Sequence, residues 1–323
     1  MVQLLSDWLG YSFRKVTQLA VKGFQSIGYK TINVVNLWFP LGLTNTRSIV
    51  IGDTVFALRL ASRFSALEKV YWVDSPLEIN AGDARLLSSS DCLYATLPYW
   101  CRYYNKIGLR CSGYIPRPVD AEIAESVLSA SLCADLQQKY GDYIVTVGAE
   151  PVVIPPKKPR KGLDIFDTVC EQLKQRSVKC IAVTNKPLKN AVVVRFGSLS
   201  EYELMRLVKC AKLFLYTSRS EGFGMPPIEA MAIKQLVVAS SAPCFEHVIG
   251  IKYDYVEEVV EYMPEVGRNY IGWDYRVKDV LDAVDYALSL DSDEREAIVE
   301  KAYFASKAYT PMRVAYALNE VYA

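Results

Sequence analysis

"KLFLYTSRSEGFGMPPIEAMA", residues 212–232, sets three kinds of segment end to end. The apolar run "LFLYT" reads as a buried strand. A loop with Glu221 between a serine and a glycine follows, and then Pro226–Pro227. Prolines fit the first turn of a helix, where backbone N–H groups have no helical partner. Strand, loop and helix in that order predict a parallel α/β sheet, whose ligands bind beyond the carboxyl ends of the strands.

The same alternation extends in both directions. Upstream, "VQLLS", "KTINVVN", "RSIVIG", "KVYWVD", "CLYATL" and "LRCSGYI" read as strands. Helical spacing fills two of the gaps between them, as with Phe13, Val16, Ala20, Phe24 and Ile27. "IPRPVD" (115–120) interrupts the pattern, because two close prolines exclude regular helix and sheet. A second series then runs "DYIVTVG", "KCIAVTN", "AVVVRFG", "KLFLYTS" and "QLVVASS", with helices expected over 162–175, 200–211 and 226–234. The expected division is residues 1–125, residues 126–290, and C-terminal helices over 291–323 that cross back to the first domain. Pro311 is placed to open the last helix.

Half of the 323 residues are apolar and 23% are charged, the balance of a globular protein large enough for two domains. No apolar run reaches the ~18–20 residues of a membrane span, and "MVQLLSDWLGYSFRK" lacks the features of a secretory leader. Eight scattered cysteines without a CxxC pair are expected to be buried thiols of a cytoplasmic protein. Net charge is +5 over residues 1–120 and −4 over the rest. That asymmetry fits an anionic partner or peripheral contact with a membrane surface through the first domain, and equally ordinary surface scatter. No nucleic-acid partner is expected.

Gly222 and Gly224 admit a ligand to the backbone without a Cβ in the way. The helix behind them favours an anion at its N-terminus. Glu229 is expected in the first helical turn and Glu221 in the loop ahead of it, an arrangement suited to a phosphate ester carrying a sugar. A glutamate complementing its helix dipole beside a tight glycine turn accounts for the same residues. A second loop, "PPKKPRKG" (155–162), sets Lys157, Lys158, Arg160 and Lys161 after another strand. Four such cations suit a diphosphate without a metal, and also an ordinary solvated loop.

"EGFGMPPIEAMA" resembles the characteristic segment of the retaining family 4 glycosyltransferases, which have the GT-B fold. "VQLLSDWLGYS", "IPRPVD", "VTVGAEPVVIPPKKPRKGLD", "FGSLSEYEL" and "LVVASSAPCFEHVIG" are similar to other family segments, in family order. The resemblance implies two Rossmann-like domains whose parallel sheets face a central cleft. It implies a hexosyltransferase-type enzyme moving a sugar from a UDP-, GDP- or ADP-sugar, with retained configuration, to a sugar, lipid or protein acceptor. No tightly bound cofactor and no metal site are implied. Glu229 would bind the ribose. Glu221 would lie beside the donor sugar, with Gly222, Phe223 and Gly224 around sugar and diphosphate. Lys161, assisted by Arg160, would stabilise the departing diphosphate. Gly10 would approach the phosphates from the first domain, and the backbone of residues 194–196 would cradle the base.

Three positions depart from the family pattern. Ala149 stands where an arginine is frequent, and Lys234 and Leu236 where a glycine and a proline are common. The family's first-domain histidine is missing, since the only histidine is His247. Asp74 falls near the histidine's place by strand order, as a hydrogen-bonding partner of the sugar, a proton acceptor, or simply a loop cap. These departures leave a second reading, a catalytically inactive relative that binds a sugar nucleotide or glycan. A nicotinamide-dependent enzyme fits poorly, because "GFGMPP" lacks the third glycine of that turn. "LDSDERE" places Asp293 as a helix N-cap rather than a metal ligand.

Overall fold

A computed structural model describes residues 1–6, 11–64, 67–74, 77–87, 91–129, 133–149, 158–263 and 267–322. The chain divides into two compact units, Met1–Asp120 with Ala308–Ala323, and Ala121–Lys307. The first runs β1 (Val2–Ser6), α1 (Tyr11–Ser26), β2 (Ile32–Asn36), β3 (Ser48–Asp53), α2 (Thr54–Ala61) and β4 (Lys69–Asp74). It continues α3 (Ala81–Ala84), β5 (Cys92–Ala95), α4 (Pro98–Lys106) and β6 (Cys111–Tyr114). The second begins α5 (Ala121–Ser129), α6 (Ala134–Tyr140), β7 (Tyr143–Val147), α7 (Leu163–Leu173), β8 (Lys179–Thr184) and β9 (Val192–Arg195). Next come α8 (Glu201–Lys209), β10 (Leu213–Tyr216), α9 (Met225–Ala232), β11 (Val237–Ser240) and β12 (Ile251–Tyr253). It closes with β13 (Glu257–Met263), β14 (Arg268–Asp274), α10 (Val277–Ser289) and α11 (Ser292–Ser306). α12 (Pro311–Tyr322) belongs to the first unit.

Each unit is built on a six-stranded parallel sheet, ordered β2-β1-β3-β4-β5-β6 in the first and β12-β11-β10-β7-β8-β9 in the second. β1, β7, β10 and β11 are buried along their whole length, as strands covered on both faces require. In the second sheet β10 lies directly between β7 and β11. The loops after β7 and β10 therefore leave the same edge of the sheet side by side.

In the first unit, α1 and α12 cover one face of the sheet. Val16, Ala20 and Phe24 of α1 and Val314, Ala315 and Leu318 of α12 share one core with Val2, Leu4, Ile49 and Trp72. The two helices meet at Gly23, where a Cβ would lie 2.2 Å from the Pro311 carbonyl oxygen. No helix among the described residues is long and apolar enough to cross a membrane.

Three features depart from the sequence reading. Six of the eight cysteines are paired: Cys101–Cys111, Cys133–Cys210 and Cys170–Cys180, at Cα separations of 5.5, 5.3 and 5.8 Å. Cys101 in α4 and Cys170 in α7 each meet a cysteine ten residues on, in the next strand. The chain's return from helix to strand makes that contact, which spacing alone does not reveal. Second, Asp291 rather than Asp293 caps α11. Its carboxylate accepts from the Asp293 and Glu294 backbone N–H groups, and Glu294 completes a capping box. Third, residues 257–274, unread in the sequence, form the antiparallel hairpin β13–β14.

Two measurements check this fold. Gly23→Ala is expected to destabilise the protein by about 1–3 kcal/mol through overpacking against Pro311; an unchanged denaturant midpoint would contradict the helix contact. Thiol titration of unfolded, unreduced protein should detect only Cys92 and Cys244, and all eight cysteines after reduction.

Candidate functional site

Two glycines bring the loops after β7 and β10 together. Gly162, left-handed at φ 63°, caps α7, and a Cβ there would lie 1.8 Å from the Thr217 carbonyl oxygen. A side chain at that position would push the loops apart. Gly148, just past β7, lets the stem of Lys161 cross it, with its virtual Cβ 3.2 Å from the Lys161 Cβ. The Arg219 backbone N–H closes the seam by donating to the Arg160 carbonyl at 2.7 Å.

Glu221 is the centre of this arrangement. Its Oε1 accepts from Lys161 Nζ at 2.5 Å, Tyr216 Oη at 2.6 Å and Ser218 Oγ at 2.7 Å. Arg160 Nη1 reaches Oε2 at 3.4 Å and donates to the Ser220 carbonyl at 2.9 Å. The Glu221 side chain is only 9% exposed. Burial alone would raise its pKa, but Lys161 first, then Arg160 and the Tyr216 hydroxyl, hold it at about 2. Glu221 is therefore a carboxylate at neutral pH. Burial and the neighbouring Glu221 charge push the Tyr216 hydroxyl well above its ordinary value.

Arg219 fixes the loop's outer side. Its guanidinium forms a two-pronged pair with Asp164 in the first turn of α7, at 2.7 and 2.8 Å, and reaches Asp274 at the end of β14 at 2.8 Å. Burial disfavours its charge, yet the two carboxylates raise its pKa. The hairpin adds a backbone bond from Trp273 N–H to the Arg219 carbonyl, and its Ile271 carbonyl accepts from Ser220 Oγ. Tyr253, Tyr270 and Tyr275 donate their hydroxyls to the carbonyls of Tyr216, Lys158 and Ser218, each at 2.7 Å. Sequence reasoning missed Arg219 and these tyrosines. The 22 tyrosines of the chain were the signal, because a buried Tyr needs a partner for its hydroxyl.

The structure brings Glu221, Lys161 and Arg160 together, with Gly222, Phe223 and Gly224 buried beside them. Gly224, at φ 80°, is the N-cap of α9. The Phe223 ring lies 4.8 Å from that of His247. Burial lowers the His247 pKa to about 3, opposed only in part by the Phe223 backbone, so its imidazole is neutral. Glu229 is half-buried and lies beyond the first turn of α9, correcting its expected place. Met225 starts that helix, which moves Glu229 into the second turn.

The basic loop divides its labour. Lys158 turns to the hairpin, pairing with Asp274 at 2.8 Å and Glu257 at 3.3 Å; the Asp274 hydrogen bond leads in raising its pKa. Residues 194–196 lie at the edge strand β9, where the Phe196 N–H donates to the Thr184 carbonyl. Asp74, in the first unit, accepts from Arg117 Nε at 3.1 Å. Gly10 and Lys157 lie outside the described residues. Among the described residues no three His, Cys, Asp or Glu side chains stand where they could hold a metal ion.

Lys234 explains one departure from the family pattern. Its φ is +55°, the left-handed backbone that glycine adopts without strain. Its ammonium bonds Glu300 and lies 4.8 Å from the Tyr303 ring centroid, which offsets that cost.

Residues 158–303 match the family described as "Glycosyl transferases group 1". A protein of the Sulfolobus islandicus filamentous virus, named as a glycosyltransferase, is 34% identical over 151 residues, 46% of this chain and 44% of that protein. The chain thus aligns with less than half of that relative's length. A glycosyltransferase structure from Rickettsia africae superposes with a TM-score of 0.72 at 12% identity, covering 99% of this chain and 97% of that one. An E. coli trehalose-6-phosphate structure bound with UDP-2-fluoro glucose superposes at 0.64 and 12% identity, covering 95% and 76%. Residues 158–303 thus resemble a glycosyltransferase group 1 domain, and the two α/β units have the GT-B fold of these structures.

The buried groups make acid stability a test of the geometry. Between pH 6.5 and 3 only the unfolded chain protonates His247, so stability present above 6.5 is lost as pH falls. Glu221 adds stability that is full above pH 4.5 and lost as pH falls toward 2. Urea titrations across this range should show His247→Phe flattening the upper part of the decline and Glu221→Gln the lower. Profiles parallel to wild type in both variants would overturn the two assignments.

Proposed function

We propose that the protein is a nucleotide-sugar glycosyltransferase, of the retaining family 4 type, that transfers a hexose to a sugar, lipid or protein acceptor. The observation that carries this reading is the Lys161–Glu221–Arg160 cluster at the carboxyl ends of neighbouring strands. A leaving nucleoside diphosphate needs fixed positive charge where its own charge develops. Lys161 and Arg160 supply it, on backbone that Gly148 and Gly162 hold in place. Because Glu221 is already ionised, it does not act as the proton donor in this reading. It accepts hydrogen bonds from sugar hydroxyls and keeps Lys161 aimed. Gly222, Phe223 and Gly224 line the backbone beside the donor, and Glu229 takes the ribose.

The donor is a UDP-, GDP- or ADP-sugar, the uridine form being favoured by the UDP-2-fluoro glucose in the structure of like fold. Asp74 serves the acceptor side, with Gly10 approaching the phosphates. Asp74 accepts from Arg117 Nε through Oδ2, and on this reading Oδ1 orients a hydroxyl. The catalytically inactive alternative predicts binding of the same nucleotide sugars without turnover. On this reading the protein works in the cytoplasm or peripherally at a membrane surface.

A thermal-shift screen with UDP-, GDP- and ADP-sugars identifies the donor, since a ligand of the folded state raises the melting temperature. With that donor, Lys161→Ala is expected to lower kcat by about 100- to 1000-fold. Glu229→Ala should chiefly raise KM, by roughly tenfold for a lost hydrogen bond to a charged group. Stabilisation by a donor without hydrolysis or transfer across an acceptor panel would favour the inactive alternative. Full turnover in Lys161→Ala would overturn the proposed cluster.

A further inference from the structure

The second unit holds another cluster of cations, at the opposite end of the strands that carry the site. A cavity of about 390 Å³ opens at the start of β7 and β10, lined by Lys209, Lys212, Arg295, Asp142, Gln137 and the Cys133–Cys210 disulfide. Ala287, Leu288 and Leu290 give it an apolar wall. Its volume falls within the range of about 300–1,000 Å³ usual for small-molecule sites.

The charges in it do not balance. Asp142 pairs with Lys212 at 3.2 Å, and both are largely exposed. Neither Lys209 nor Arg295 forms an ion pair among the described residues. Lys209 Nζ donates to the Lys234 carbonyl at 3.0 Å, using one of its three N–H groups. Arg295 bonds through Nη2 alone, to the Lys212 carbonyl at 2.5 Å and Gln235 Oε1 at 3.1 Å. Its Nε and Nη1 donors carry no bond to the described residues. Burial, followed by the charges of Arg295 and Lys234, lowers the Lys209 pKa, and burial lowers that of Arg295. Glu300 works the other way on Lys209, but its carboxylate is bonded to Lys234.

The C-terminus of α8 accounts for part of this arrangement. Gln235 Nε2 donates to the carbonyls of Val208, Lys209 and Ala211, and cations beside that helix end meet its negative pole. Lys209 spends one donor on the Lys234 carbonyl, and Arg295 spends Nη2 on the Lys212 carbonyl and Gln235 Oε1. The others remain, beside a cavity with room for a ligand. A tetrahedral phosphate offers acceptors to an Arg edge and an ammonium together, where a carboxylate offers only two oxygens.

We propose that this cavity is a second binding site, for a phosphate-bearing anion, with Lys209 and Arg295 as its recognition groups. The apolar wall suits the organic part of a phosphate monoester, and a free phosphate or pyrophosphate satisfies the cations alone. The site is separate from the Glu221 cluster and holds whether or not the proposed transfer reaction is correct.

Calorimetry of the full-length chain with inorganic pyrophosphate tests it, because the two cation clusters can be removed separately. In Arg160→Ala/Lys161→Ala protein, binding at the cavity is expected to persist. Adding Lys209→Gln and Arg295→Gln should weaken that remaining binding at least tenfold. Loss of all binding in the first variant, or unchanged binding in the second, would overturn the proposal. These outcomes are read on variants whose circular dichroism matches wild type; should either variant not fold, limited acetylation of wild-type protein supplies the readout instead. Pyrophosphate should protect Lys209 several-fold, as measured by peptide mass spectrometry, and equal labelling with and without it would refute the site. Inorganic phosphate and glycerol phosphate, compared in the same assays, separate a free anion from a monoester.

Discussion

A carboxylate as enclosed as Glu221 stays ionised only if cations are buried with it, because its desolvation otherwise drives proton uptake. Lys161 and Arg160 meet that condition, and much of the second unit's loop structure holds them in place. Lys161 can cross β7 because residue 148 has no side chain, and its loop can sit against Thr217 because residue 162 has none. A buried pair of this kind is strongly destabilised by removing one partner, which leaves the other charge alone. The interaction thus constrains three segments together: the end of β7, the turn into α7, and the loop into α9.

The support around this pair is polar and largely satisfied. Arg219 ties α7 to the hairpin through Asp164 and Asp274, and Lys158 makes a second tie to the hairpin. Three tyrosine hydroxyls donate to the carbonyls of Tyr216, Lys158 and Ser218 along this segment. The hairpin β13–β14 accordingly works as a brace, outside the parallel sheet, for the segment that positions Glu221. Loops that carry function are usually mobile; this one is held from below by Tyr216 and from the side by Arg219.

The parallel α/β architecture was legible because strands buried on both faces appear as continuous apolar runs. "KVYWVD" is β4 with no shift at either end, and "KLFLYTS" contains β10. The cluster was legible only in part. Glycines, cations and Glu221 stand close in sequence to the strand ends that position them. The partners of Arg219 lie 55 residues away on either side, where no periodicity points to them. The hairpin escaped because "EEVVEYM" mixes charges into a β-branched run, while its buried face is carried mainly by Tyr270, Ile271 and Trp273 of the partner strand. The disulfides escaped because the expectation of reduced thiols came from a cytoplasmic assignment, not from the geometry of helix-to-strand returns.

On the proposed reading, Asp74 compensates electrostatically for the missing histidine rather than replacing it in kind. A neutral histidine offers one donor and one acceptor, whereas an aspartate offers only acceptors. Arg117 supplies positive charge beside it, with its side chain 1% exposed and its guanidinium carbon 4.3 Å from the centre of the Trp72 ring. Burial lowers the Arg117 pKa while Asp74 raises it, so the aspartate offsets part of the cost of burying the cation. Trp72 in turn donates its indole N–H to the Ile115 carbonyl, fixing the ring under the guanidinium. Asp74 and Arg117 therefore behave as one unit whose direction is set by Trp72. An aspartate so anchored is better suited to orienting a hydroxyl than to leaving its partner for a proton, and on the proposed reading its contribution is to position the acceptor.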